Sequence, residues 1–261
     1  MLSNFNQSNN CHWIVPAWPA PLNVKALTTV REGGSSVEPY DSFNLALHVG
    51  DDPQKVLANR AQLKLQANLP QEPLWLAQTH SARVVDVGDF IDPNNLNNPK
   101  NPIDADASVA FKPDQICAVL SADCLPILLC NKSGTRVSAI HAGWRGLAAG
   151  IVEAAMSKLD CDPATLLVWL GPAIGPTVYE VQADFLLAFK EYQSEATFKP
   201  KENGRWLADI YQLARARLKK LGVTAIYGGE FCSYQDNARF YSFRRSGATG
   251  RMATLIWYHR P

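Results

Sequence analysis

Three short apolar runs, over residues 116–121, 126–130 and 136–140, sit in the middle of this 261-residue chain, each bounded by turn-forming residues. Runs of that length and framing are the pattern of buried strands. Further strands are expected over 24–30, 42–48, 74–78, 82–87, 166–170, 223–227 and 252–258. Helices are expected over 145–159, 183–192 and 206–221, and from Asp52, a capping residue followed by Pro53, to the stop at Pro70. Strands outnumber helices and do not alternate with them strictly, which favours an α+β class over a doubly wound parallel sheet. The 24–30 and 42–48 strands, joined by a turn holding Gly33, Gly34 and Pro39, suggest an early antiparallel unit. The Asn- and Pro-rich stretch 92–102 reads as a surface loop.

With 47% hydrophobic residues the chain has ample material for a core, and it divides into an N-terminal extension, 1–23, and a single domain, 24–261. A formal charge of +1 with no basic block leaves no nucleic-acid footprint. No apolar run approaches the roughly 20 residues needed to cross a bilayer, and the polar start is not a signal peptide. The expectation is a soluble cytoplasmic protein, monomer or small homo-oligomer, whose partner is a small molecule. Its six cysteines lack disulfide-scaffold spacing; Cys117 and Cys130 read as small buried hydrophobes.

Cys124 is different. It follows one expected strand, as His141 and His80 follow two others, so neighbouring strand ends can bring all three together. A catalytic zinc site has three protein ligands and keeps a fourth position open, and His80, Cys124 and His141 fit that inventory. Two histidines and a cysteine also suit an electron-transfer copper with an axial Met. That reading is weaker, since the methionines are Met1, Met156 and Met252, and Asp123 and Arg145 make the surroundings polar. Five histidines cannot furnish a four-copper oxidase. A metal-free alternative makes Cys124 a nucleophile and His141 its base. His12, His48 and His259 read as structural or surface residues.

After His141 the run Ala142-Gly143-Trp144-Arg145-Gly146-Leu147 enters a helix, gathering backbone N–H groups and a guanidinium into a candidate phosphate pocket. Gly143 and Gly146 also serve a plainer purpose, a tight turn with close packing. A second basic turn carries Arg244 and Arg245, followed by Arg251, and arginine forks grip phosphate bidentately. A rigid loop, Gly171-Pro172-Ala173-Ile174-Gly175-Pro176, leads to Tyr179 and Glu180.

Taken with Ser42-Phe43-Asn44-Leu45, His48-Val49-Gly50-Asp51-Asp52, Gln78-Thr79-His80, Asp104-Ala105-Asp106-Ala107 and Thr249-Gly250-Arg251-Met252-Ala253, these runs resemble the laccase-domain family. That family is also called multicopper polyphenol oxidase or peptidoglycan-editing factor, and is described as zinc-dependent purine nucleoside phosphorylases. The resemblance spans roughly residues 24–258. It implies zinc on His80, Cys124 and His141, and a four-layer α/β/β/α fold with two sheets between helices. It also implies phosphorolysis of adenosine, guanosine, inosine and methylthioadenosine, with deamination of adenosine to inosine. In that reading Arg145, Arg244 and Arg245 hold phosphate, while Asn44 and Asp123 orient the sugar or shuttle a proton. The family name also admits a peptidoglycan-precursor editing hydrolase. Two departures stand out: Thr177 and Val178 where many members carry cysteines, and Ser246 where many carry an acidic residue.

Overall fold

The computed structural model describes residues 13–90 and 102–260. In chain order the strands are β1 (Trp13–Ile14), β2 (Val24–Thr29), β3 (Leu76–Ala77), β4 (Val84–Asp86), β5 (Ile103–Asp104), β6 (Ala107–Ala110), β7 (Cys117–Ser121) and β8 (Leu125–Asn131). They continue as β9 (Val137–Ala142), β10 (Leu166–Leu170), β11 (Glu180–Val181), β12 (Phe198–Pro200), β13 (Trp206–Ala208), β14 (Ala225–Gly228) and β15 (Met252–Tyr258). The helices are α1 (Pro53–Gln66), α2 (Trp144–Ala149), α3 (Ile151–Leu159), α4 (Ala183–Ala188), α5 (Ile210–Lys220) and the short α6 (Phe243–Ser246).

Two sheets carry the fold: a four-stranded one in the order β1-β2-β15-β7 and a six-stranded one in the order β14-β10-β8-β9-β6-β4. The six-stranded sheet mixes directions, with β8, β9 and β6 antiparallel neighbours while β10 and β14 run parallel. Strand periodicity explains the layering, because successive side chains leave a strand on opposite faces. Along β8, Leu125, Ile127 and Leu129 join the cluster beneath α3 and α5, while Leu128 and Cys130 face the other sheet. Along β15, Met252, Ile256 and Tyr258 point into the space between the sheets; Ala253, Leu255 and Trp257 meet Leu63 of α1 on the outside. The outcome is helix, sheet, sheet, helix, as expected. Because Leu128 is fully buried at the sheet interface, Leu128→Ala should destabilise the fold by about 2–5 kcal/mol, read as a drop in thermal midpoint.

Several expected boundaries are corrected. Residues 42–48 form no strand, and β2 pairs instead with β1 and β15. Phe43, Leu45 and Ala46 are buried, but side chains organise this stretch instead of a ladder. Asn59 on α1 donates to Ser42 O (3.2 Å), Asn44 O (2.9 Å) and Ser36 Oγ (3.0 Å). The helix expected over 206–221 begins only at Ile210, where the Asp209 side chain caps Gln212 N at 3.0 Å. Residues 206–208 are strand β13. Gly150, at φ 94°, divides the 145–159 helix into α2 and α3. The 183–192 helix stops at Ala188, with a 3-10 turn over Lys190–Tyr192 beyond it. Cys11, His12 and most of the 92–102 loop lie outside the described residues. No helix among those described is long and apolar enough to cross a membrane.

Candidate metal and anion site

The register of three adjacent strands builds the site. His141, near the end of β9, lies opposite Pro126 of β8 on one side, and its N–H donates to Asp106 O just before β6 on the other (2.7 Å). Because β9 runs against both neighbours, its end meets their beginnings. Cys124, immediately ahead of β8, therefore arrives beside His141. The chain reaches Cys124 from β7, which belongs to the other sheet, and makes the crossing with Asp123 at φ 91°. That left-handed backbone is uncommon for a residue with a β-carbon.

His80 comes from the segment after β3. One donor atom from each of His80, Cys124 and His141 lies within 4.8 Å of the others, and among the described residues no other group of three or more potential metal ligands gathers in this way. Cys124 Sγ stands 3.5 Å from His80 Nε2, and the two imidazole rings meet edge to face with centroids 4.9 Å apart. A tetrahedral ion with bonds of about 2.3 Å to sulfur and 2.0–2.1 Å to nitrogen sets those two atoms about 3.6 Å apart. The donor set, one thiolate and two imidazoles, suits zinc and leaves a position open.

Ionisation favours the thiolate form of Cys124. Burial opposes charge on Cys124, but the field and hydrogen bonds of His141, then of His80, hold its thiol well below the ordinary range. Burial likewise opposes charge on His141, while Cys124 and the Asp106 carboxylate push it upward. By contrast, burial pushes Cys117 and Cys130 up to about 12. Metal-free protein should accordingly be alkylated at Cys124 by iodoacetamide at neutral pH, since a lowered pKa leaves thiolate present there and removes it only in acid. Cys117 and Cys130 should stay unmodified, and bound metal should protect Cys124, as read by peptide mass spectrometry.

Gly143 makes the triad sterically feasible. A β-carbon there would lie 2.3 Å from His80 Cδ2 and 3.1 Å from Cys124 Sγ. Gly146 lets helix α2 approach the same segment, with Ser81 O only 2.9 Å from where its β-carbon would be. The close-packing reading of both glycines therefore holds.

The remaining residues singled out in the sequence take varied places. Arg145 is exposed on α2 and its guanidinium carbon sits 4.5 Å from the Trp144 ring. Asp123 gathers the arginine turn: it accepts from Ser233 Oγ (2.6 Å), Ser242 Oγ (3.0 Å) and Arg244 N (2.7 Å). Arg244 donates to Glu180 O (3.0 Å) and lies over the Tyr179 ring. The Arg245 guanidinium turns the other way, donating to the carbonyls of Ser233, Tyr234 and Phe240. Asn44 is wholly buried, its amide bonded to Ala46, to the Asp51 carboxylate (2.9 Å) and to Arg251 N (3.0 Å). Arg251 donates to its neighbours' carbonyls, and burial lowers its pKa against the opposing charges of Cys124 and Asp123.

Sequence reasoning left one residue of the site without a role. Asp106 is fully buried, faces His141 Nδ1 at 2.8 Å and accepts from the N–H groups of Thr79, His80 and Ser81. Burial opposes its ionisation, yet hydrogen bonds from His141 and Ser81 bring it down to about 2. The signal was the Asp104-Ala105-Asp106-Ala107 run, where a carboxylate sits between alanines at a strand start.

A sandwich of two sheets between helices, with an open His-Cys-His centre at the strand ends beside an arginine turn, defines the class of protein. The chain belongs to the family described as multi-copper polyphenol oxidoreductase laccase, which it matches over residues 25–259. It is 49% identical over 248 residues to a purine nucleoside phosphorylase of Pseudomonas aeruginosa, covering 94% of this chain and 98% of that one. The Escherichia coli purine nucleoside phosphorylase YfiH is 46% identical over 245 residues, with the same coverage of 94% and 98%. A solved Neisseria meningitidis protein superposes with TM-score 0.88 at 43% identity, over 95% of this chain and all of that one. YlmD of Geobacillus stearothermophilus superposes at 0.87 with 28% identity, over 97% and 98%.

Proposed function

We propose that this protein is a zinc-dependent purine nucleoside phosphorylase acting on adenosine, guanosine, inosine and methylthioadenosine. The observation that carries the reading is the gathering of His80, Cys124 and His141 at the end of β9, from which α2 leads off with the exposed Arg145. The names of the curated relatives support the same class of activity. When bound, zinc supplies Lewis acidity at the open position. Arg145, four residues after His141, and Arg244, whose backbone is bonded to Asp123 beside Cys124, hold the phosphate in this reading, while Arg245 and Asn44 brace the loops behind them. Asp123 fixes the backbone from which Arg244 extends.

In phosphorolysis a phosphate oxygen bonds to C1′ of the ribose as the bond from C1′ to the purine nitrogen breaks. The electron pair leaves with the base, which takes up a proton. Positive charge builds on the sugar, so an anion held against it by two arginines stabilises the transition state. Arg145→Ala should raise the KM for phosphate at least tenfold with zinc content unchanged, because a charge-assisted hydrogen bond contributes about 1.5–3 kcal/mol.

Deamination of adenosine, with water consumed and ammonia released, is assigned to the same centre. The His-x-Glu and Pro-Cys-x-x-Cys signature of common nucleobase deaminases is missing from the sequence, so this would be a separate solution.

The decisive assay incubates metal-quantified protein with adenosine, with and without phosphate, and separates adenine, ribose 1-phosphate and inosine. Adenine and ribose 1-phosphate should form only with phosphate. Base release or amide hydrolysis that ignores phosphate would sink the phosphorylase reading and favour an editing hydrolase. Cys124, His141 and Asp106 also follow the order of thiol nucleophile, base and orienting acid. Full activity after removal of all metal by a chelator would turn the assignment to that cysteine chemistry, whereas His80 at 3.5 Å from the sulfur favours the metal.

A further inference from the structure

We propose that Asp106 is the positioning residue of the metal centre, one buried carboxylate that fixes both histidine ligands, the ring of His141 and the backbone of His80. The inference rests on the reading of His80, Cys124 and His141 as metal ligands. Asp106 is 0% exposed, and its two oxygens divide the work. Oδ1 faces His141 Nδ1 at 2.8 Å and accepts from His80 N at 3.0 Å. Oδ2 accepts from Thr79 N at 3.2 Å, Ser81 N at 2.6 Å and Ser81 Oγ at 2.7 Å.

Three consequences follow from that geometry. A carboxylate can only accept, so His141 must carry its proton on Nδ1, which leaves the Nε2 lone pair for a metal. Three successive backbone N–H groups converging on one anion hold His80 at φ 62°, a left-handed conformation that a residue with a β-carbon keeps only where its surroundings impose it. Finally, five donors crowd the roughly four lone-pair sites a carboxylate offers. Asp106 therefore has no lone pair left to become a fourth ligand, and the open position stays open.

Asparagine cannot substitute. It has nearly the same shape but one acceptor oxygen, and its NH2 would face either the Thr79 and Ser81 donors or those of His80 and His141. Asp104 provides a control of equal charge two positions away: its exposed carboxylate bonds Thr79 Oγ1 and Arg83 and touches neither histidine.

The test titrates wild-type, Asp106→Asn and Asp104→Asn proteins with zinc against a competing chelator, and records the visible spectrum of each cobalt-loaded form. Asp106→Asn should bind zinc roughly 10–100-fold more weakly and show an altered cobalt spectrum, while Asp104→Asn matches wild type. In zinc-loaded wild type, nitrogen-15 NMR of the imidazoles should show His141 protonated at Nδ1 and ligated through Nε2. That measurement decides the matter even if Asp106→Asn fails to fold. Wild-type zinc affinity and an unchanged cobalt spectrum in Asp106→Asn, or His141 protonated at Nε2, would overturn the positioning role while leaving the metal reading intact. A wild-type protein that binds no zinc overturns both.

Discussion

Gly143→Ala should abolish zinc binding and phosphorolysis in a protein that remains folded. Gly143 has φ −60° and ψ 152°, angles that alanine adopts without strain. At such a position the substitution alone stabilises by about 0.4–1 kcal/mol through the unfolded chain. The whole penalty is local, since the added carbon falls 2.3 Å from His80 Cδ2 and the ring must leave its place. A thermal midpoint close to wild type without metal, together with loss of stoichiometric zinc, is the expected pair of results. Retained zinc at full affinity would mean that His80 is not a ligand.

Cys124→Ala should likewise remove phosphorolysis, and adenosine deamination together with it. Loss of a residue that merely orients a ligand weakens metal affinity about 10–100-fold, so loss of the thiolate itself should exceed that range. The thermal shift on adding zinc should vanish too: a ligand at a hundred times its Kd stabilises by about 2.7 kcal/mol, and a variant without the site gains none. Inosine formation that survived in Cys124→Ala would separate deamination from the triad.

The layering was legible because alternation along β8 and β15 places one set of side chains on each face, and burial enforces that period. The 42–48 stretch carried a similar apolar pattern and still made no strand. Its backbone is held by the Asn44 and Asn59 side chains, an arrangement that hydrophobic spacing does not record. Leu207 mimicked a helical stripe, although Asp209 carried the true start signal as a capping residue. In the site, residue type together with position just past expected strands, and then the family resemblance, singled out His80, Cys124 and His141 from the six cysteines and five histidines. Asp106 stayed hidden because its partners are mostly backbone N–H groups on a distant segment. For the same reason Arg245 looked equivalent to Arg244 in the sequence, yet three carbonyls engage its guanidinium.

The crossing between β7 and β8 bears on how the molecule assembles. Cys124 lies where the chain enters the six-stranded sheet from the other one, His141 stands at the end of a neighbouring strand of that sheet, and His80 lies on the segment between β3 and β4. Until β8 has paired with β9 and the segment carrying His80 has arrived, Cys124 has neither histidine beside it to lower its pKa. The ligand set is complete only once residues 80, 124 and 141 have met, and an ion held by all three would tie together segments far apart in the chain.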